Sequence, residues 1–215
     1  MATPRALAST PRALANTPRA LAKQERRAAL LEAAARLFAE HGYDRVTLED
    51  IGGAAGISGP AVYRHFPGKQ AVLAAILVDA SEGLLRGGRT VVEREPDAAR
   101  ALGRLIDFHV RFALADAAVI RVQDRDLGLL ADSDRRHVRT LQRTYVELWV
   151  GVLARLAPEA PVAELRARAH AGFGLMNSTP HTGRGLTPEI LAAMARAALT
   201  AAAAPPPVAP TPPVE

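Results

Sequence analysis

Apolar residues recur at spacings of three and four along most of the chain, the pattern of amphipathic helices. After Lys23, the residues Leu30, Ala34 and Phe38 fall on one stripe, and Gly42 is placed to end the helix. Alternating runs of Val, Ile and Thr are scarce, so the pattern gives little support to strands. The sequence therefore predicts an all-α protein.

Two short helices are predicted next, joined by a turn that contains Gly56. Thr47 is placed as the N-cap of the first, with Asp50 three residues later in a variant of the capping box. Ser58 is the N-cap candidate of the second, and Pro60 falls in its first turn, where a helix tolerates proline. Two helices of about eight residues each around a glycine turn form the helix-turn-helix pattern.

A fourth helix is predicted to start after Gly68 and to end near Arg86, before a Gly-Gly pair. Prolines divide the rest of the chain into shorter helical segments. These further helices are predicted at residues 97–115, 117–130, 133–156, 162–178 and 187–203.

The two ends of the chain differ from the part between them. The chain begins with three copies of a seven-residue unit, TPRALAS, TPRALAN and TPRALAK, and each proline would break a continuous helix at a cost of about 3 kcal/mol. We predict a disordered arm; the alternative is a flexible arm in which Arg5, Arg12 and Arg19 contact DNA. The predicted segments are a disordered repeat arm at 1–22, a helix-turn-helix domain at 23–75, a second helical domain at 76–203 and a proline-rich disordered tail at 204–215.

Positive charge is concentrated in the first third of the chain. Residues 1–75 hold ten Lys or Arg against six Asp or Glu, whereas the remaining residues hold seventeen against sixteen. This asymmetry indicates an anionic partner, either nucleic acid or a membrane surface. The chain has no cysteine, no secretory signal pattern and no apolar run near the roughly 18 residues of a membrane span, so we expect a cytoplasmic protein.

Motifs for catalysis are missing from the sequence. There is no Glu-x-x-His pair, no pair of histidines four residues apart, and no G-x-S-x-G, G-x-G-x-x-G or phosphate-loop pattern. The sequence therefore predicts neither an enzyme nor a metal or cofactor site. The remaining alternative is a basic helical module without operator recognition. It would bind a small molecule or a membrane surface, the latter because Lys23, Arg26 and Arg27 lie beside apolar residues.

The phrase TLEDIGGAAGISGPAVYRHFPGKQAVL, within residues 27–75, resembles the DNA-binding domain of the TetR family of transcriptional regulators. The resemblance implies a homodimer that binds double-stranded operator DNA as a repressor and is released by a small molecule in the second domain. It implies base contacts from Ser58, Gly59, Pro60, Ala61 and Arg64, and phosphate contacts from Thr47, Tyr63, His65 and Lys69.

The chain departs from the family pattern at four small residues. Gly59 and Ala61 fall where other members often carry a hydrogen-bonding side chain, so we expect Arg64 and DNA shape to supply more of the specificity. Gly52 and Gly53 stand where alanine is usual, and we expect them to loosen the second helix.

The second domain is expected to hold the ligand. Phe108 and Phe112, like Tyr145 and Trp149, are four residues apart and share a helix face; they would line a pocket or simply pack a core. The stretch GFGLMNSTPHTG resembles segments of regulators of lipid metabolism, which implies an apolar or amphipathic ligand such as a fatty acyl compound. The predicted ligand contacts are Phe108, Phe112, Tyr145, Trp149, Phe173 and Asn177, with His109, Gln123 and His181 as further polar candidates.

The last two predicted helices, at residues 162–178 and 187–203, are rich in alanine and leucine. Small side chains permit close approach of helices, so we expect this hairpin to form a four-helix dimer interface with its symmetry mate.

Overall fold

A computed structural model describes residues 17–179 and 187–201. Every regular element in these two ranges is helical, so the all-α prediction is confirmed. In the same ranges, no helix is long and apolar enough to cross a membrane. The α-helices are α1 (Pro18–His41), α2 (Leu48–Ala54), α3 (Gly59–Val62), α4 (Lys69–Arg94), α5 (Ala98–Ala115), α6 (Ala117–Asp126), α7 (Asp132–Leu156), α8 (Val162–Met176) and α9 (Pro188–Thr200), and a 3-10 turn (Leu127–Leu129) follows α6.

The chain forms two compact units. Of the described residues, those up to Gly87 and Ala115–Tyr145 form the first, and Gly88–Leu114 with those from Val146 onward form the second. The first unit thus combines the helix-turn-helix segment with α6, which packs against α1. The functional division after residue 75 remains a prediction, whereas the compact units are divided at other positions.

The first unit is held together by a cluster of buried apolar side chains. Phe38 of α1 and Ile51 of α2 are fully buried, and so is Val62 of α3, while Phe66 is 4% exposed. Burial of side chains of this size contributes about 1.5–3 kcal/mol each, which fixes the short helices that could not form alone.

Helix α1 begins at Pro18, five residues before the predicted start at Lys23. The Thr17 hydroxyl accepts a hydrogen bond from the Ala20 amide at 3.2 Å, and Pro18 occupies the first helical turn, where its missing N–H is not needed. The third TPRALA unit therefore starts a helix, and the prediction of disorder is wrong for this unit. The first two units and the tail at 204–215 lie outside the described residues.

The helix-turn-helix segment follows the predicted caps but is tighter than predicted. The capping box of Thr47 and Asp50 is present, and Gly56 ends the turn after α2 at a φ of 66°, a conformation that favours glycine. Helix α3 spans four residues instead of about eight, and Ser58 makes no side-chain cap hydrogen bond.

Helix α4 continues to Arg94, eight residues beyond the predicted end at Arg86. The Gly-Gly pair that suggested a break costs only about 1 kcal/mol per glycine in a helix. The helix ends instead before Glu95 and Pro96, because the residue before a proline is disfavoured in the helical conformation. The other predicted helix bounds agree with the structure to within four residues.

Gly52 and Gly53 have different roles in α2, which corrects the expectation that both loosen it. A Cβ atom on Gly52 would lie 2.8 Å from the Ile57 carbonyl oxygen and 2.8 Å from Val62 Cγ2. A Cβ on Gly53 would meet nothing within 4 Å. Gly52 therefore permits the close approach of α2 to α3, and Gly53 has no packing role.

We expect Gly52→Ala to destabilise the protein by roughly 1–3 kcal/mol, because the added methyl group must displace backbone or Val62. Gly53→Ala is the matched control, and it should raise helix stability by up to about 1 kcal/mol. Thermal unfolding followed by circular dichroism compares the two variants. Equal shifts of the melting temperature in both would contradict the assigned role of Gly52.

Candidate nucleic-acid interface and ligand site

The segment from Ser58 to His65, here named the recognition segment, consists mostly of exposed or half-buried residues. Val62 is buried, and so is Phe66 one turn later, so these two side chains anchor the segment in the core. Tyr63 is 54% exposed, and Arg64 is exposed beside it. The remaining predicted base-contacting residues are also accessible, with Ser58 and Pro60 exposed and Gly59 and Ala61 half-buried.

The predicted phosphate-contacting hydroxyl groups already have partners within the domain. The Thr47 hydroxyl donates to Asp50 Oδ2 at 2.7 Å and accepts from the Asp50 amide at 3.1 Å. The bond from the Thr47 hydroxyl, and then the bond from the Thr47 backbone N–H to Asp50 Oδ2 at 2.8 Å, lower the pKa of the Asp50 carboxyl. The Tyr63 hydroxyl makes a longer, exposed hydrogen bond of 3.4 Å to Glu49. A phosphate contact requires the Thr47 hydroxyl to rotate away from its cap, whereas Tyr63 gives up only a weak bond.

Lys69 is the first residue of α4 and is held against the loop between α1 and α2. Its ammonium group donates to the Tyr43 carbonyl oxygen at 2.8 Å and to the Asp44 carbonyl oxygen at 3.3 Å. It also lies 4.4 Å from the centroid of the Tyr43 ring. The charge of Lys69 is therefore fixed in position by the loop.

The loop that holds Lys69 is itself supported by α6. Arg125 donates to the Phe38 carbonyl oxygen at the end of α1 and pairs with the buried Asp126 at 2.8 Å. The Phe38 and Tyr43 rings lie 5.3 Å apart. The pKa of Tyr43 is raised by burial and then by the carboxylates of Asp44 and Asp126. Sequence reasoning missed this support because no local pattern links residues 87 positions apart.

His65 is surrounded by positive charge. Partial burial lowers the pKa of its imidazole, which keeps the ring neutral at pH 7. Neighbouring cations lower this pKa further, and in decreasing order they are Lys23, Arg26, Arg64 and Arg27. The electropositive character of this region therefore comes from the arginines and the lysine and not from His65 itself.

Arg27 connects α1 to the recognition segment. Its guanidinium lies 5.5 Å from the centroid of the Phe66 ring and pairs with Asp79 of α4 at 2.5 Å. The sequence showed the basic character of this part of α1 but not its location, since the contact to Asp79 spans 52 residues.

A second candidate site surrounds His109 in the second unit. His109 is buried, and its Nε2 atom lies 3.0 Å from Asn177 Oδ1, which can only accept a hydrogen bond. The Phe173 ring lies 5.0 Å from the His109 ring, and the Trp149 ring lies 6.1 Å from it in an edge-on arrangement. The Phe112 ring is 5.9 Å away on the same helix.

Four of the six predicted ligand contacts thus meet at a histidine that was only a secondary candidate. Phe108 is half-buried on the same helix, and Tyr145 and Gln123 belong to the first unit. His181 lies outside the described residues. Ligand contact remains a prediction for all of them, and a buried aromatic cluster equally serves as a core.

The arrangement of α1, α2 and α3 defines a helix-turn-helix domain. Residues 30–76 match the profile of the bacterial regulatory proteins of the tetR family. The chain is 33% identical over 125 residues to the HTH-type transcriptional repressor KstR2 of Rhodococcus jostii (strain RHA1). This match covers 58% of the chain and 61% of that repressor, so it spans less than two thirds of the relative.

Solved structures share the fold over most of the chain. A TetR-family transcriptional regulator from Bordetella parapertussis 12822 matches with a TM-score of 0.73 and 22% identity, covering 81% of this chain and 94% of that one. The transcriptional regulator FadR from Bacillus subtilis, solved in complex with stearoyl-CoA, matches with a TM-score of 0.64 and 16% identity. That match covers 80% of this chain and 94% of FadR, and at this identity it establishes the fold alone.

Burial lowers the pKa of His109 from 6.5 to about 4, although its hydrogen bond to Asn177 opposes the shift. The unfolded chain therefore binds a proton at a higher pH than the folded protein does. This contribution to stability is complete above about pH 6.5 and is lost as the pH falls to about 4, by roughly 3 kcal/mol in total.

We expect His109→Gln to remove this part of the pH dependence of unfolding. Urea unfolding between about pH 4.5 and 7.5 should show a flatter profile for the variant than for the wild-type protein. His170→Gln is the matched control, because His170 is an exposed histidine of the same unit. A wild-type profile for His109→Gln would contradict a neutral, buried His109.

Proposed function

We propose that the protein is a sequence-specific DNA-binding transcriptional regulator, a repressor that a small ligand releases from its operator. The observation that supports this most directly is the exposed pair of Tyr63 and Arg64 on a segment fixed by buried Val62 and Phe66. A protein that reads DNA needs such side chains on a rigid support, because phosphate contacts fix orientation and base contacts give specificity.

In the proposed complex, the start of α3 enters the major groove. The small residues Gly59, Pro60 and Ala61 let the backbone approach the base edges, and a thymine methyl group can pack on Pro60 or Ala61. Arg64 is one turn further on and can donate two hydrogen bonds to a guanine. Phosphates flank a helix in this groove on both sides, where Tyr63 and the fixed charge of Lys69 would contact them.

The remaining predicted contacts have supporting roles in this proposal. Thr47 caps α2, and its hydroxyl group can turn towards a phosphate. His65 is neutral before binding, and a neighbouring phosphate would favour its protonated form. In this proposal the Thr47 hydroxyl rotates and His65 gains a proton when DNA binds, whereas the charge of Lys69 is already in position.

We propose that the protein binds DNA as a homodimer through α8 and α9. The two helices pack closely on each other, since a Cβ on Gly172 would lie 2.8 Å from Leu199 Cδ2. This packing leaves large apolar side chains exposed, with Val162 at 54%, Ile190 at 46% and Met194 at 48%. A symmetry mate would cover them and set two recognition segments about 34–36 Å apart.

We propose that the ligand is apolar or amphipathic, such as a fatty acyl compound, and that it binds beside the His109 cluster. The buried aromatic rings suit an acyl chain, and His109 with Asn177 supplies the few polar groups such a site requires. The stearoyl-CoA complex of FadR supports an acyl compound as the first candidate. Ligand binding would shift the population between forms competent and incompetent for DNA binding.

The operator should be recovered as a palindrome when duplexes are selected from a random pool with the full-length protein. Against that operator, Arg64→Ala should cost about 1–3 kcal/mol and relax specificity at one base pair of each half-site. Tyr63→Phe and Lys69→Gln should weaken binding to all duplexes, because their contacts go to phosphates. Fluorescence anisotropy titrations measure each effect.

Arg111→Ala provides the control for these titrations, because Arg111 is an exposed arginine of the second unit. Its affinity should equal that of the wild-type protein. Operator affinity that survives the loss of Tyr63, Arg64 and Lys69 together would refute the proposed interface. Melting temperatures would separate loss of contact from loss of fold, since Lys69 also ties α4 to a loop.

Ligand and DNA should weaken each other by the same factor, because coupling between two sites is reciprocal. Stearoyl-CoA is the probe, titrated by calorimetry into the protein with and without the selected operator. We expect a lower affinity for stearoyl-CoA in the presence of DNA. Equal affinities in both titrations would exclude release of the operator by this compound.

A further inference from the structure

The first three turns of α1 contribute no buried side chain to the core of the domain. No side chain from Pro18 to Ala29 is buried, and Leu30 is the first buried residue of the helix. A helix end without buried side chains gains little from tertiary packing, so its start depends on the Thr17 cap. Core packing therefore does not constrain the side chains of these turns, and they are available to bind a partner.

Three exposed cations follow one face of these turns. Arg19, Lys23 and Arg26 are spaced by four and three residues, which places them in one row, here named the basic stripe. No acidic side chain within residues 17–179 and 187–201 pairs with any of the three, whereas the adjacent Arg27 pairs with Asp79. The basic stripe therefore carries three charges that the described part of the chain does not neutralise.

Arg27 fixes the basic stripe beside the recognition segment. Its contacts to the Phe66 ring and to Asp79 hold α1 against the residues that follow His65. Lys23 lies one helical turn before Arg27, and Arg26 immediately precedes Arg27 in the sequence. The effect of Lys23 and Arg26 on the pKa of His65 agrees with this proximity.

We propose that the basic stripe binds the phosphate backbone next to the half-site read by α3, so that the third TPRALA unit and the residues after it form a second DNA-contacting surface. This inference rests on the proposed function and adds three residues that the family resemblance did not supply. The stripe runs from Arg19 to Arg26, seven residue steps or about 10 Å along the helix, which is close to the rise of three base pairs. Three cations over this length can contact phosphates within about three base pairs of one strand.

Double-stranded DNA fits this surface better than a lipid bilayer does. An interfacial helix presents a broad apolar face, rich in Leu, Phe or Trp, opposite its cations. Between Pro18 and Ala29, Leu21 is the one exposed large apolar residue, at 45%. The other positions around the stripe are occupied by alanine, glutamine, glutamate and arginine.

The test compares the salt dependence of duplex binding in two triple variants of the full chain. Arg19→Gln, Lys23→Gln and Arg26→Gln together should reduce the slope of log K against log salt by about 0.9 per contact, up to about 2.7 for each bound protomer and about twice that for a dimer. The wild-type protein would then lose about 40-fold more affinity per bound protomer than the variant between roughly 50 and 200 mM salt. The loss should be equal for operator and unrelated duplexes, because phosphates carry no sequence information.

The matched control replaces Arg136, Arg139 and Arg143 of α7 by glutamine. These three arginines are exposed and lie on one helix face at spacings of three and four, so the control removes the same charge in the same pattern. Its salt slope should stay that of the wild-type protein. Arg19→Lys with Arg26→Lys keeps the charge of the stripe and should also retain the wild-type slope.

Each of the remaining outcomes would contradict either this inference or the proposed function. An unchanged slope in the stripe variant, or an equal change in the control, would overturn the inference while leaving operator binding intact. Failure of the wild-type protein to bind any duplex would refute the proposed function itself. Loss of binding to phosphatidylserine vesicles, with duplex binding retained, would assign the stripe to a membrane surface. Circular dichroism of every variant checks that the fold is kept.

Discussion

The helix-turn-helix segment depends on the close packing of α2 against α3 at Gly52. The carbonyl oxygen of Ile57 and a methyl group of Val62 occupy the space that a side chain at this position would need. Because α3 has only four residues, it gains its stability from Val62 and Phe66 in the core. The exposed Tyr63 and Arg64 are rigidly presented only while this packing is intact.

Positive charge around the recognition segment is organised by contacts between distant parts of the chain. Arg27 contacts Phe66 and Asp79, and Lys69 donates to carbonyl groups of the loop after α1. Arg125 supports the end of α1 from α6. Cations held in place lose less conformational entropy on binding a polyanion, so this organisation favours association with DNA.

Local patterns in the sequence were sufficient for the helices and for most caps, because caps and periodicity act over three or four residues. The capping box of Thr47 and the buried positions Leu30 and Phe38 are examples. The start of α1 was missed because proline was treated as a helix breaker, although its place after Thr17 makes it a helix starter. The environment of His109 depends on Asn177, 68 residues away, and no local pattern encodes such a contact.

The first turn of α1 lies within a repeated sequence, and this has a consequence for insertions and deletions in the gene. Each copy begins with the same Thr-Pro-Arg triplet, so deletion of one whole copy would leave that triplet in front of the same helix. Replication errors that add or remove a complete copy would thus change the length of the leading segment and leave the helix start unaltered. Selection could therefore adjust the number of residues in that segment without disturbing the folded domain.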